Sequence, residues 1–144
     1  MLVHQILKAK SGDQVFTIKP GTTVSSAAEE LSRRKIGAVI VSSDGEVPLG
    51  ILSERDIVRE LGRRGPSCLS GLVDDMMTKS LIGCARDDSA VAVLTKMTEG
   101  RFRHMPVLEG DKMVGLISIG DVVKARLSEL SMEKEALEGM IMGH

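Results

Sequence analysis

The sequence predicts an α+β fold made of two pseudo-symmetric units packed sheet to sheet, followed by a C-terminal helical extension. Each unit reads helix, strand, helix, strand, strand, helix. Three observations carry this. The segment Val3–Val58 is echoed by Val73–Val123, and internal repetition decides an architecture before any local reading does. Within each copy the apolar period switches from helical to strand-like. Each copy also converges on one string, Gly50-Ile51-Leu52-Ser53-Glu54-Arg55-Asp56 and Gly115-Leu116-Ile117-Ser118-Ile119-Gly120-Asp121.

The elements follow in order. Val3–Leu7 and Val73–Met77 are short amphipathic pieces that lead each copy. Short strand leads are expected at Gln14–Lys19 and Ser80–Ala85. Val24, Ala27, Ala28 and Leu31 form one apolar stripe at helical spacing, as do Ala90, Val93, Leu94 and Met97. Pro20-Gly21-Thr22-Thr23 and Asp87-Asp88-Ser89 supply side chains able to cap those helices. Apolar strands follow at Ile36–Val41 and Phe102–Leu108, with turns at Asp44-Gly45 and Gly110-Asp111. A second strand ends each unit at Leu52 and Ile117, and a helix opens at Ser53 or Ser118. Arg63–Ser67 reads as the connecting loop. The expected boundaries are 1–65 for the first unit, 66–130 for the second and 131–144 for the tail. Neither half alone would bury much core.

The tail differs in character. Leu127, Leu130, Leu137 and Ile141 form a narrow apolar stripe, with Glu129, Glu133, Lys134, Glu135 and Glu138 on the other faces. Such a stripe suits a partner helix; the alternative is a solvated, fraying extension.

Composition narrows the function classes. The chain of 144 residues has a net charge of −1, and aromatics make up 1% of it. A basic footprint and stacking platforms for nucleic acid are therefore lacking. No apolar run reaches the roughly 20 residues that span a bilayer. Lys8 and Lys10 follow the apolar start rather than precede it, unlike a signal peptide, so a cytoplasmic location is expected. Cys68 and Cys84 form no CxxC pair, and Cys84 reads as buried filler. His4, His104 and His144 lack metal-ligand spacing. Ser53, His104 and Asp121 make no triad without a nucleophile elbow, and an enzyme is not expected.

Ser followed three residues later by an acid is first a helix-capping pattern. It also places a hydroxyl and a carboxylate where backbone N–H groups favour phosphate, and an Asp one turn in suits a ribose diol. Both roles can coexist. The copies differ in that the first has Gly37-Ala38 where the second has Arg103-His104, preceded by Arg101. The Arg fork fits phosphate oxygens; the alternative is a guarded strand edge. Arg55 suits either phosphate in the first site or a surface carboxylate.

The two Gly-x-x-Ser-x-x-Asp strings, with Arg103-His104-Met105-Pro106-Val107, resemble a tandem pair of cystathionine-beta-synthase (CBS) domains, a Bateman module of the stand-alone bacterial kind. The resemblance covers about residues 1–130. It implies a regulatory module that binds an adenine nucleotide or other adenosine ligand, such as AMP, ATP, NAD or S-adenosylmethionine, for energy or redox sensing. It implies no catalytic cofactor, a homodimer, and signalling to a separate, unidentified target protein. Asp56 and Asp121 would hold riboses, Ser53 and Ser118 would meet phosphate or ribose, and Arg103 with His104 would meet phosphate. Thr17, Ile18 and Lys19, and Ile82, Gly83 and Cys84, would line adenine pockets. Gly37-Ala38 departs from the pattern, so the two sites are expected to differ. The alternative is an interaction scaffold with vestigial ligand sites.

Overall fold

The computed structural model describes residues 1–10 and 15–142, and its element order is that of two successive repeats. The first contains α1 (Val3–Ala9), β1 (Thr17–Ile18), α2 (Val24–Arg34), β2 (Ala38–Val41), β3 (Gly50–Ser53) and α3 (Glu54–Arg64). A 3₁₀ turn at Pro66–Ser70 connects to α4 (Val73–Met76), α5 (Ala90–Gly100), β4 (His104–Glu109), β5 (Lys112–Ser118) and α6 (Ile119–Ile141). The mixed helix and strand content agrees with the α+β expectation.

The described residues cluster into two compact units. One is built from the chain up to Ile82 after the first helix, together with Glu109–Val114; the other takes the N-terminal helix, Gly83–Leu108 and the chain from Gly115. In the former, β1 runs parallel to β2 with Thr17 opposite Ile40, and β2 runs antiparallel to β3 with Ala38 opposite Ser53. All four β2 residues are buried, so β2 is the central strand. Val24, Ala27 and Leu31 of α2 pack with Val39, Val41, Leu52 and Ile57 in one core cluster. Thr23 caps α2 through the Ser26 N–H at 3.1 Å. In the other unit Ser89 caps α5 through the Ala92 N–H, also at 3.1 Å. Ala90, Val93 and Met97 are its buried stripe, and β4 pairs with β5.

The leading helices depart from the simple repeat. α1 does not join the repeat that follows it. Its first amides bond forward, Val3 N–H to the Asp88 carbonyl and His4 N–H to the Arg86 carbonyl, both at 2.9 Å. Reciprocally, Val73 at the start of α4 donates to the Thr22 carbonyl at 2.8 Å, and Val24 donates to the Gly71 carbonyl at 2.9 Å. Each leading helix therefore completes the unit built mainly from the other repeat. The physical reason is local. A short helix leaves its first N–H groups unpaired, and the carbonyls of the loop before α5 or α2 satisfy them. Periodicity carries no information about which loop that is.

The strand leads are shorter than expected. The first is only Thr17–Ile18, and Gln14 lies outside the described residues. The second is a single parallel bridge of Cys84 with Val107. There Cys84 donates to the Pro106 carbonyl at 3.0 Å and accepts from Leu108 at 2.8 Å. Gly83 explains the close approach, because a Cβ there would lie 2.6 Å from the Leu108 side chain and 3.1 Å from the Pro106 carbonyl.

Leu52 is fully buried in the β3 ladder opposite Val39. Leu52→Ala is expected to cost about 2–5 kcal/mol through lost burial and a residual cavity, read as a lower midpoint in urea denaturation.

Candidate functional site

The two strand-to-helix turns have the same construction. At β3–α3, Ser53 Oγ accepts from the Asp56 N–H at 3.2 Å, and Asp56 Oδ2 accepts from the Ser53 N–H at 2.9 Å. The Ser53 hydroxyl also donates to Asp56 Oδ2 at 2.9 Å. At β5–α6, Asp121 N–H reaches Ser118 Oγ at 3.2 Å, and Asp121 Oδ2 accepts from the Ser118 N–H at 2.8 Å. Both are complete capping boxes. A third bond is shared: the Glu54 N–H goes to the Gly37 carbonyl at 2.9 Å, and the Ile119 N–H to the Arg103 carbonyl at 2.8 Å. This bond fixes Gly37-Ala38 and Arg103-His104 at equivalent places, each beside a helix N-terminus.

The two carboxylates have different cations. Asp56 is 9% exposed and its Oδ1 lies 3.0 Å from Arg59 Nη2, one turn along the same helix. Asp121 receives Lys10, whose Nζ is 2.8 Å from Oδ2 and 2.9 Å from the Leu116 carbonyl. Burial alone would raise the Asp121 carboxyl; the Lys10 ammonium and the Ser118 N–H outweigh it and hold the group below the ordinary carboxylate value. Neither Lys10 nor Arg59 belongs to a motif. The one available signal for Lys10 is a basic residue directly after the α1 stripe, and its partner lies over a hundred residues on.

The remaining candidates are distributed as follows. In the unit containing β1–β3, the ladder brings Thr17, Ile18, Gly37, Ala38, Ser53 and Asp56 onto adjoining strands and the turn they feed. Arg55 and Lys19 are exposed, and Ile82 is exposed in the same unit. In the other unit Arg103 is exposed, His104 is half-buried, and Met105 and Pro106 are buried. Met105 is fully covered, side chain and backbone alike, so it lies behind the surface that a ligand could reach. Cys84 is buried, and burial together with the Asp88 carboxylate pushes its thiol up to about 11. Among the described residues no group of three or more His, Cys, Asp or Glu is placed to hold a metal ion; His144 lies outside them. No helix there is long and apolar enough to cross a membrane.

The CBS domain family matches residues 11–63 and 73–128, so this chain belongs to the CBS domain family and carries the domain in tandem. The crystal structure of the CBS-domain containing protein ATU1752 from Agrobacterium tumefaciens is 41% identical, with a TM-score of 0.83 over 88% of this chain and 99% of that one. The mitochondrial CBS domain-containing protein CBSX3 of Arabidopsis thaliana is 35% identical over 84% of this chain, which spans 61% of that relative's length. The CBS domain pair of protein MJ0100, solved with 5′-methylthioadenosine and S-adenosyl-L-methionine, shares the fold at 21% identity. Its TM-score is 0.76 over 90% of this chain and 98% of that one.

Ser118→Ala removes a cap acceptor and is expected to cost about 1 kcal/mol. For Asp121 the sign follows from a lowered folded-state value: its contribution is complete above the ordinary value of 3.8 and fades as pH falls through the lower one. Wild type should therefore exceed Asp121→Asn in stability by the same margin at pH 7 and at pH 5.5, with the gap closing under stronger acid. Urea titrations at each pH measure it. A neutral, buried Cys84 thiol should resist iodoacetamide in the native protein at pH 7.5 and react after denaturation, as mass spectrometry would read.

Proposed function

We propose that this CBS pair is a regulatory module that binds an adenine nucleotide and passes the signal to a separate target protein. The observation that carries the reading is the duplicated turn. Each copy presents a Ser and an Asp at a helix N-terminus, where the positive end of the helix dipole favours an anionic ligand. One copy adds Arg103 and His104 at the equivalent of Gly37 and Ala38. MJ0100, a distant relative of the same fold, is described with two adenosine compounds, which supports the ligand class. In this reading Asp56 and Asp121 hold ribose hydroxyls, and Ser53 and Ser118 face phosphate or ribose. Thr17, Ile18, Lys19, Ile82 and Cys84 border the base, and Arg55, Arg103 and His104 read phosphate. Met105 and Pro106 shape the strand that presents that pair. The module works without catalysis, in the cytoplasm, as a homodimer.

A second reading has its own observation. Asp56 and Asp121 are already engaged by caps and by Arg59 and Lys10, as expected for a scaffold whose sites have lapsed. Thermal scans of ligand-free protein with AMP, ATP, NAD and GTP separate the two. A nucleotide at 100 times its dissociation constant raises stability by about 2.7 kcal/mol; no shift with any adenine ligand leaves the scaffold.

Asp56→Ala and Asp121→Ala should each weaken one site by roughly 1.5–3 kcal/mol, seen in calorimetry as a loss of affinity or stoichiometry. Arg103→Ala should lose progressively more affinity from adenosine to AMP to ATP, because charge-assisted contacts outweigh neutral ones. Equal losses for adenosine and AMP would assign Arg103 to shape rather than phosphate recognition.

A further inference from the structure

The CBS match ends at residue 128, yet α6 continues to Ile141. Val122 and Ala125 bury the opposite face of its first turns. The other face carries Val123, Leu127, Leu130, Lys134, Leu137 and Ile141, spaced alternately by four and three residues, so Lys134 stands within the apolar stripe and not on another face as the sequence reading expects. That is an uninterrupted heptad seam with one lysine in it. Its apolar members are all exposed, Leu127 at 63% and Ile141 at 77%. At 1.5 Å per residue the seam is about 27 Å long.

We infer that α6 pairs with α6 of a second copy of this chain, antiparallel. The charge pattern selects both the occupant and the direction. In a parallel pair, Lys134 would meet Lys134 at the same level, and Glu133 would meet Glu138. Turned antiparallel, each layer joins unlike positions: Val123 with Ile141, Leu127 with Leu137, and Leu130 with the stem of Lys134. Lys124 then lies across from Glu138 of the second copy, once at each end. Glu133 meets its own counterpart at the middle, but its Oε1 already lies 3.9 Å from Arg126 Nη1 in the same helix. The arrangement is isologous and closes at two copies. It uses a surface distinct from the nucleotide turns and stands whether or not they bind.

Site-directed cysteine crosslinking of the full chain tests this. Both native cysteines are buried, and the wild-type chain is the blank. Leu127→Cys mixed with Leu137→Cys should give a disulfide-linked mixed dimer under mild oxidation, while each variant alone gives little. Adding Leu130→Glu to both should abolish the product; Leu130 is exposed, so circular dichroism should show the fold retained. No product from the mixture would overturn the pairing. Efficient crosslinking of Leu127→Cys alone would replace it with a parallel one. A product that survives Leu130→Glu would mean random collision and overturn it as well.

Discussion

The structure hangs on how the first amide of α3 and of α6 is satisfied. That amide cannot bond within its own helix. In both repeats it goes to a carbonyl just before the neighbouring strand, Gly37 in one and Arg103 in the other. This bond ties strand entry to helix entry, and the Ser–Asp box closes the amides of the serine and the aspartate. The turn is thereby rigid from its backbone outward, and whatever side chain follows Gly37 or Arg103 is delivered to the helix N-terminus without a dedicated loop. Divergence between the copies at these positions leaves the scaffold intact, since only carbonyls do the holding.

Legibility in the sequence followed the range of the interaction. The α2 and α5 stripes, and the Ser and Thr caps, are written within a few neighbouring residues, and they appear as read. The Ser–Asp strings likewise appear as capped helix starts. Lys10 is different: nothing near it announces Asp121, because the contact is made only after the chain has folded back over most of its length. Arg59 is illegible for the opposite reason, since an Arg three residues after an Asp on a helix is too common to single out. The strand leads are shorter than their apolar runs suggest, since one strand is two residues and the other a single bridge.

The carboxylates also show how a duplicated motif acquires two characters without changing its residues. Asp56 is paired by a side chain on its own helix, so the pair travels with that helix. Asp121 is paired by the end of α1, so the same charge is tied to a separate element. Displacing the cation has a local consequence at Asp56 and a structural one at Asp121, where it loosens the end of α1 from β5.

The exchange of leading helices sets the order in which the chain can fold. α1 is synthesised before the second repeat, but the carbonyls that take its amides lie in that repeat, and Lys10 reaches a carbonyl 106 residues further on. Closing such long loops precedes any reward from the contacts they bring, which slows folding relative to a chain of the same size with local pairing. While the first repeat emerges from the ribosome, its leading helix has no partner, and Val3 and Ile6 stay exposed. The unit that receives them is completed only by the last third of the chain, so a break between the repeats would separate α1 from its binding place and leave each fragment with an open edge.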